Sequence, residues 1–176
     1  MGDFVVSGEL GVDLTKIYDE PDSTTNPEEP GLPFRLGQRV RATNDQQYVF
    51  CKSSGALAQY AAVCIDENFT ARACTTVLAG EANSFGAAQT AMATDKYGFI
   101  AVHGHGLQVL CKDAVGPNDA LYTSASVGVL TAVASTGDPL LVSGVRSVAS
   151  ASSGGGATSI VATYPQFTVH NEPSNN

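Results

Sequence analysis

The 176-residue chain has no tryptophan, only four cysteines and few charges, 15% Asp, Glu, Lys and Arg against roughly a quarter in an average soluble domain. Cys51, Cys64, Cys74 and Cys111 contain no C-x(2–4)-C pair, so the common structural zinc arrangements are excluded. Each cysteine lies in an apolar or alternating run and reads as a small buried hydrophobe. A disulfide stays open but has no support in a reducing compartment. No run approaches the roughly 18 apolar residues of a membrane helix. The start, Met-Gly-Asp-Phe-Val-Val, lacks the basic and apolar regions of a signal peptide. The expectation is a protein made in a cytoplasm that stays soluble and off membranes.

Catalytic patterns are also missing. There is no Gly-x-Ser-x-Gly elbow, and Gly154-Gly155-Gly156 is not followed by the Lys-Ser/Thr of a phosphate loop. The body has few carboxylates, and most sit at turns (Asp45, Asp66, Glu67, Asp113, Asp119, Asp138), where Asp stabilises the turn itself. No basic cluster exists to displace counterions from a nucleic acid; Arg35, Arg39 and Arg41 come closest. The chain is therefore expected to be no enzyme, to need no cofactor and to bind no nucleic acid. The sharpest chemical candidate is His103-Gly104-His105-Gly106. In a continuous strand both imidazoles would share a face and could meet one metal, with Cys111 or Asp113 as third ligand. The structural alternative is a bulge or tight turn at the two glycines.

What the chain does have is a lopsided charge. Residues 1–33 carry eight carboxylates (Asp3, Glu9, Asp13, Asp19, Glu20, Asp22, Glu28, Glu29) against Lys16, while residues 34–176 carry nine acids and eight bases. The same acidic segment holds Pro21, Pro27, Pro30 and Pro33. Gly8, Gly11 and the prolines resist helix, so residues 1–33 are expected to form an extended arm with little structure of its own. Residues 34–165 are expected to form the body and residues 166–176 an exposed tail. The apolar anchors Phe4, Val5, Leu10, Leu14, Ile17, Tyr18, Leu32 and Phe34 are expected to dock on a partner, because burial must offset an ordering cost of about 1–2 kcal/mol per residue. Removal of residues 2–33 is expected to leave a folded body that no longer binds its partner.

The body reads as all-β, a compact antiparallel barrel or sandwich, because turn residues recur every eight to twelve positions. Gln38–Thr43 and Gln46–Lys52 flank Asn44-Asp45; Gln59–Ile65 and Phe69–Thr75 flank Asp66-Glu67-Asn68; Tyr97–Gly104 and Leu107–Lys112 flank His105-Gly106. Further strands are expected at Ala120–Ser124, Val129–Val133, Leu140–Ser147 and Ser159–Tyr164. The Ala-rich stretch Ala79–Thr94 reads as a short helix or a long loop, and Ser150–Thr158 as a loop.

The run from Leu36 through Gln38-Arg39-Val40-Arg41-Ala42-Thr43-Asn44-Asp45 to Ser54 resembles the opening of capsid decoration (cement) proteins of tailed bacteriophages. The resemblance continues through Leu57–Val63, Tyr97–Gly104 and Asp119–Leu130, covering roughly residues 36–132. It implies a protein on the outer surface of a virus head that ties capsomers together, with the major capsid protein and further copies of itself as partners, a trimer favoured over a dimer. The acidic arm is outside the resemblance and rests on composition. The alternative is a virion surface module that contacts a host cell or glycan, for which Tyr48, Tyr60, Tyr97, Tyr122 and Tyr164 would have to supply an exposed platform.

Overall fold

The structure, a computed structural model, describes residues 12–20, 31–82, 84–112, 114–132, 140–150 and 156–169. It is nearly all β, with a closed five-strand barrel and further strands outside the ring. The barrel uses β2 (Gln47–Ser53), β3 (Ala62–Ile65), β4 (Thr70–Ala73), β5 (Ser84–Ala87) and the first half of β6 (Tyr97–Leu110). Its order is β2-β4-β3-β5-β6, and the β2–β6 pairing closes the ring. The edge strand β1 (Arg39–Arg41) pairs with β2. Asn44 and Asp45 have φ of 57° and 56°, both left-handed, as a two-residue hairpin turn that follows strand twist requires.

A second sheet continues from the far half of β6. It runs through β10 (Ala157–Val169), β9 (Leu140–Ser147), β7 (Ala120–Thr123) and β8 (Leu130–Thr131). A bridge between Cys111 and Leu130 brings the last strand of this sheet back to the end of β6. The strand β6 thus belongs to both lobes: residues 97–103 pair with β2 and residues 104–110 with β10.

Alternation sorts the barrel residues into two cores. Val49, Cys51, Val63, Ile65, Ala71 and Ile100, joined by partly buried Ala73 and Val102, form one cluster. Strand β5 faces it through Gly86, where a Cβ would come within 2.5 Å of Ile100 Cγ2 and 3.1 Å of Ile65 Cδ1. Only this set draws on all five strands of the ring, so it fills the barrel. A ring this small has no room for aromatic side chains, and those point outward. Tyr48, Phe50, Phe85, Tyr97 and Phe99 join the second sheet's Leu107, Leu121, Leu130, Val142 and Ile160 in one continuous outer core.

Four expectations about the elements need correction. Tyr97–Gly104 and Leu107–Lys112 are not a hairpin. They are one bent strand, because β10 supplies the hydrogen-bond partners of Leu107–Leu110, and Gly104 and Gly106, at φ of 122° and 75°, bend the chain without reversing it. Ala79–Thr94 is neither one helix nor one loop: α1 (Thr76–Glu81) is capped by the Thr75 hydroxyl, which accepts from Leu78 N–H at 3.3 Å, and β5 follows. The tail begins later than residue 166, because Gln166–Val169 pair with Ser143–Leu140 of β9. Thr158 likewise belongs to β10 and not to a loop.

Candidate functional site: the N-terminal strap and its seat

Residues 12–20 lie across the start of β6. The strap begins with a local turn in which the Asp13 carboxylate accepts from Thr15 N–H at 2.9 Å and from the Thr15 hydroxyl at 2.7 Å. The hydroxyl bond, first, holds the Asp13 carboxyl below the usual carboxylate range. Tyr18 and Tyr97 then exchange two backbone hydrogen bonds of 2.8 and 2.9 Å, a single antiparallel bridge.

Successive side chains at this bridge go to opposite faces, as extended backbone demands. Tyr18 enters the outer core and Ile17 packs against the barrel cluster. Gly98 makes space for Ile17, since a Cβ there would sit 3.0 Å from Ile17 Cδ1 and 3.1 Å from Met92 Cε. The Tyr18 ring meets Phe50 at 5.8 Å and Phe34 at 5.9 Å, both edge-on. Phe34 in turn lies 5.4 Å from Phe50 and 5.0 Å from Phe99. These are the offset and edge geometries that aromatic quadrupoles favour. Leu14 and Leu32 pack against the same core.

Charge fixes the end of the strap. Lys52 Nζ lies 3.4 Å from Glu20 Oε1 and 3.8 Å from Asp95 Oδ1. The Tyr97 hydroxyl donates to Glu20 Oε1 at 3.1 Å, and Lys96 pairs with Asp19. Cations also sit over rings: Lys16 Nζ is 5.1 Å from the Tyr18 centroid and Lys52 Nζ 5.4 Å from the Tyr97 centroid. The ion pairs are exposed and each is worth little alone, so the aromatic contacts carry most of the holding energy.

The arm is therefore not a segment without structure of its own over residues 12–20 and 31–33. Of the eight anchors expected to dock on a partner, Leu14, Ile17, Tyr18, Leu32 and Phe34 pack against their own body. Phe4, Val5 and Leu10 lie outside the described residues. The physical reason is that the seat was already present in the chain. Phe50 and Phe99, pushed out of a narrow barrel, need cover, and Lys52 and Lys96 at the ring's edge match Glu20 and Asp19. Sequence reasoning missed Lys52, Lys96, Phe50, Tyr97 and Phe99 as partners of the arm. The available signal was the pair of lysines in an otherwise charge-poor body.

The other candidates separate. His103 is buried with Nε2 3.0 Å from Asp45 Oδ2, while His105 is exposed and its backbone N–H donates to Asn44 O at 3.1 Å. Gly104 breaks the shared face that the i, i+2 spacing predicted. Asp113 lies outside the described residues, and among the described residues no three His, Cys, Asp or Glu stand close enough to hold a metal ion. Tyr48 and Tyr97 are buried and Tyr60 and Tyr122 half-buried, so these four offer no exposed platform, and the Tyr164 side chain lies outside the described residues. Arg39 and Arg41 are exposed either side of buried Val40 on the edge strand β1.

Alkali should loosen the strap first. Burial, and then Asp13, push the Tyr18 hydroxyl above its ordinary 10.0; contact with Tyr97, and then Glu20, pushes the Lys52 ammonium above 10.5. Both pKa values are raised on folding, so the stabilisation is complete below the unfolded values and is lost as pH climbs through the folded ones. Near-ultraviolet circular dichroism from the aromatic cluster is expected to decay above about pH 10 while the far-ultraviolet strand signal persists. Simultaneous loss of both signals would contradict a separately released strap.

No family model matches the sequence, and no curated protein matches it. Among solved structures the fold is similar to the N base of the head fiber gp8.5 of bacteriophage phi29, at 11% identity over 68% of this chain and 95% of that one, with a TM-score of 0.46.

Proposed function

We propose that this chain is a structural protein of a bacteriophage head, of the decoration or cement type, which binds the outer capsid surface and stabilises contacts between capsomers. Its partners are the major capsid protein and further copies of itself, with a trimer favoured. The resemblance of residues 36–132 to decoration proteins supports the class.

The observation that carries the reading is the seat of the strap. A tie transmits force only if it is fixed at both ends. Residues 12–20 are fixed to a rigid β body by a backbone bridge, an aromatic cluster and two lysines. The capsid-facing role passes to the residues before the strap, among them Phe4, Val5 and Leu10, because the other five anchors are occupied at home. Many copies on one particle give avidity from modest single contacts.

Deletion of residues 2–11 tests this. The shortened chain is expected to keep the melting temperature of the full chain, since the strap stays seated. Its co-sedimentation with undecorated heads is expected to fall by more than about tenfold, given roughly 1.5–3 kcal/mol per large apolar side chain no longer buried. Full occupancy by the shortened chain would sink the proposal.

A further inference from the structure

Two of the four cysteines stand in a relation that the other two do not share. In the β3–β4 pair Cys64 faces Arg72 and Val63 faces Ala73, and Cys74 N–H donates to Ala62 O at 2.8 Å. Opposite residues of an antiparallel pair share a face, so Ala62, Cys64, Arg72 and Cys74 project to one side, with Cys64 and Cys74 as diagonal neighbours. Both belong to the outer core beside Ala79 of α1, and all four cysteines are free thiols. We infer that Cys64 and Cys74 form a closable dithiol, a site at which a small disulfide oxidant installs a covalent staple between β3 and β4.

The Cys74 thiol donates to Thr75 O at 3.7 Å. The neighbouring Cys64 thiol, ahead of burial, holds the Cys74 thiol well above the usual cysteine range. Access comes through an open cleft of about 220 Å³ lined by Cys64, Thr70, Arg72, Leu78 and the turn carboxylates Asp66 and Glu67. An oxidant entering from solvent therefore reaches Cys64 first. Cys51 is fully buried inside the barrel opposite Gly98, with burial pushing its thiol up to about 12, and Cys111 is fully buried at the bridge to Leu130.

The step balances as ordinary thiol–disulfide exchange. Cys64 loses its proton and attacks one sulfur of oxidised glutathione, forming a mixed disulfide and releasing one glutathione thiolate. Cys74, deprotonated in turn, attacks the Cys64 sulfur, closes the intramolecular bond and expels the second thiolate. The two cysteine protons end on the two glutathione thiols; the protein dithiol is oxidised and the glutathione disulfide reduced. The Cys64 thiol, and then burial, keep the Cys74 thiolate scarce, so closure is slow at neutral pH and faster as pH rises. The staple would tie the hairpin that receives the residue 126–128 turn, where Gly128 N–H donates to Cys74 O at 2.7 Å and Ala62 N–H to Gly128 O at 2.8 Å. This inference does not rest on the proposed capsid role.

The sequence supplies a clean assay. Trypsin cuts after Arg41, Lys52, Arg72, Lys96 and Lys112, which places each cysteine in a different peptide: 42–52, 53–72, 73–96 and 97–112. The folded full-length chain is incubated with oxidised glutathione at mildly alkaline pH, alkylated and digested without reductant. The expected product is peptide 53–72 joined to peptide 73–96, lighter by two hydrogens than their sum, with the other two cysteines alkylated. Thermal unfolding of the oxidised chain is expected to rise by a few degrees, and the gain should vanish on adding reductant. Cys64→Ser and Cys74→Ser should each abolish the linked species; if either fails to fold, the wild-type peptide map alone decides. Four alkylated cysteines, a glutathione adduct that never closes, or a link through Cys51 or Cys111 would each overturn the inference.

Discussion

Phe50→Ala is expected to destabilise the protein by about 3–5 kcal/mol, a loss of roughly 10 °C in melting temperature for a chain of this size. Phe50 is fully buried and is the hub of the outer core. Its ring lies 5.2 Å from Phe99, 5.4 Å from Phe34, 5.8 Å from Tyr18 and 6.2 Å from Tyr97. Truncation removes the apolar area of one ring and leaves a hole that four rings anchored on three different segments cannot fill together. Because two of those rings belong to the strap and its continuation, the variant should also release residues 12–20. Chemical denaturation reads the first effect. For the second, trypsin should cut after Lys16 in the folded Phe50→Ala variant much faster than in the parent. A double-mutant cycle between Phe34→Ala and Phe50→Ala is expected to give a coupling of about 0.5–1.5 kcal/mol. A cost below about 1 kcal/mol for Phe50→Ala would mean that the strap is not seated where the geometry puts it.

The second large effect is expected at Gly104. Its φ of 122° is closed to residues with a side chain, and a Cβ there would lie 2.5 Å from Gln46 Cα and 2.8 Å from Gln46 N. Those are backbone atoms of the β1–β2 hairpin, which is clamped in place by Gln46 Nε2 donating to His105 O at 2.8 Å, the Tyr48 hydroxyl donating to Gln46 Oε1 at 2.8 Å and the His103–Asp45 pair. Neither side can yield without breaking that clamp. Gly104→Ala should therefore cost about 3 kcal/mol or more, combining backbone strain with overpacking. Gly106 provides the control. It has φ of 75° but nothing within 4 Å of a built Cβ, so Gly106→Ala should cost only about 1 kcal/mol. Equal losses for the two variants, measured by urea unfolding, would remove close approach as the reason for glycine at residue 104.

The arm's seat also changes what a truncation means. Removal of residues 2–33 was expected from composition to leave a sound body. It would strip Tyr18, Ile17 and Leu32 from the cores they cover and expose Phe50 and Phe99. A truncated body that failed to bind heads would then be uninformative, since it would also be weakened. The cut after residue 11 separates the two effects.

Part of the architecture was legible along the chain because the β1–β2 and β3–β4 pairings join neighbouring strands across short turns. Asn44-Asp45 marks its hairpin by residue type, since both positions need a left-handed backbone that Asn and Asp tolerate. Asp66 marks the next turn in the same way, its carboxylate accepting from the N–H groups of Asn68 and Thr70 at 2.9 Å each. The apolar run Tyr48-Val49-Phe50-Cys51 marked a strand, and only the structure shows it buried on both faces. The pairings that escaped are the distant ones. Nothing in Leu107-Gln108-Val109-Leu110 says that its partner lies in residues 157–160, and so β6 read as a hairpin with itself.

The sequence by itself determined that this is a β protein with a charge-poor body, an acidic proline-bearing leader and turns at defined places, because those properties are local: backbone preference, alternation and residue charge. Only the tertiary structure decided which face of each strand is inside the ring, that the large aromatics are therefore left outside, and that Tyr18 and Phe34 close over them. A five-strand barrel sets the width of its own interior, and that limit is a property of the closed ring that no stretch of residues carries alone.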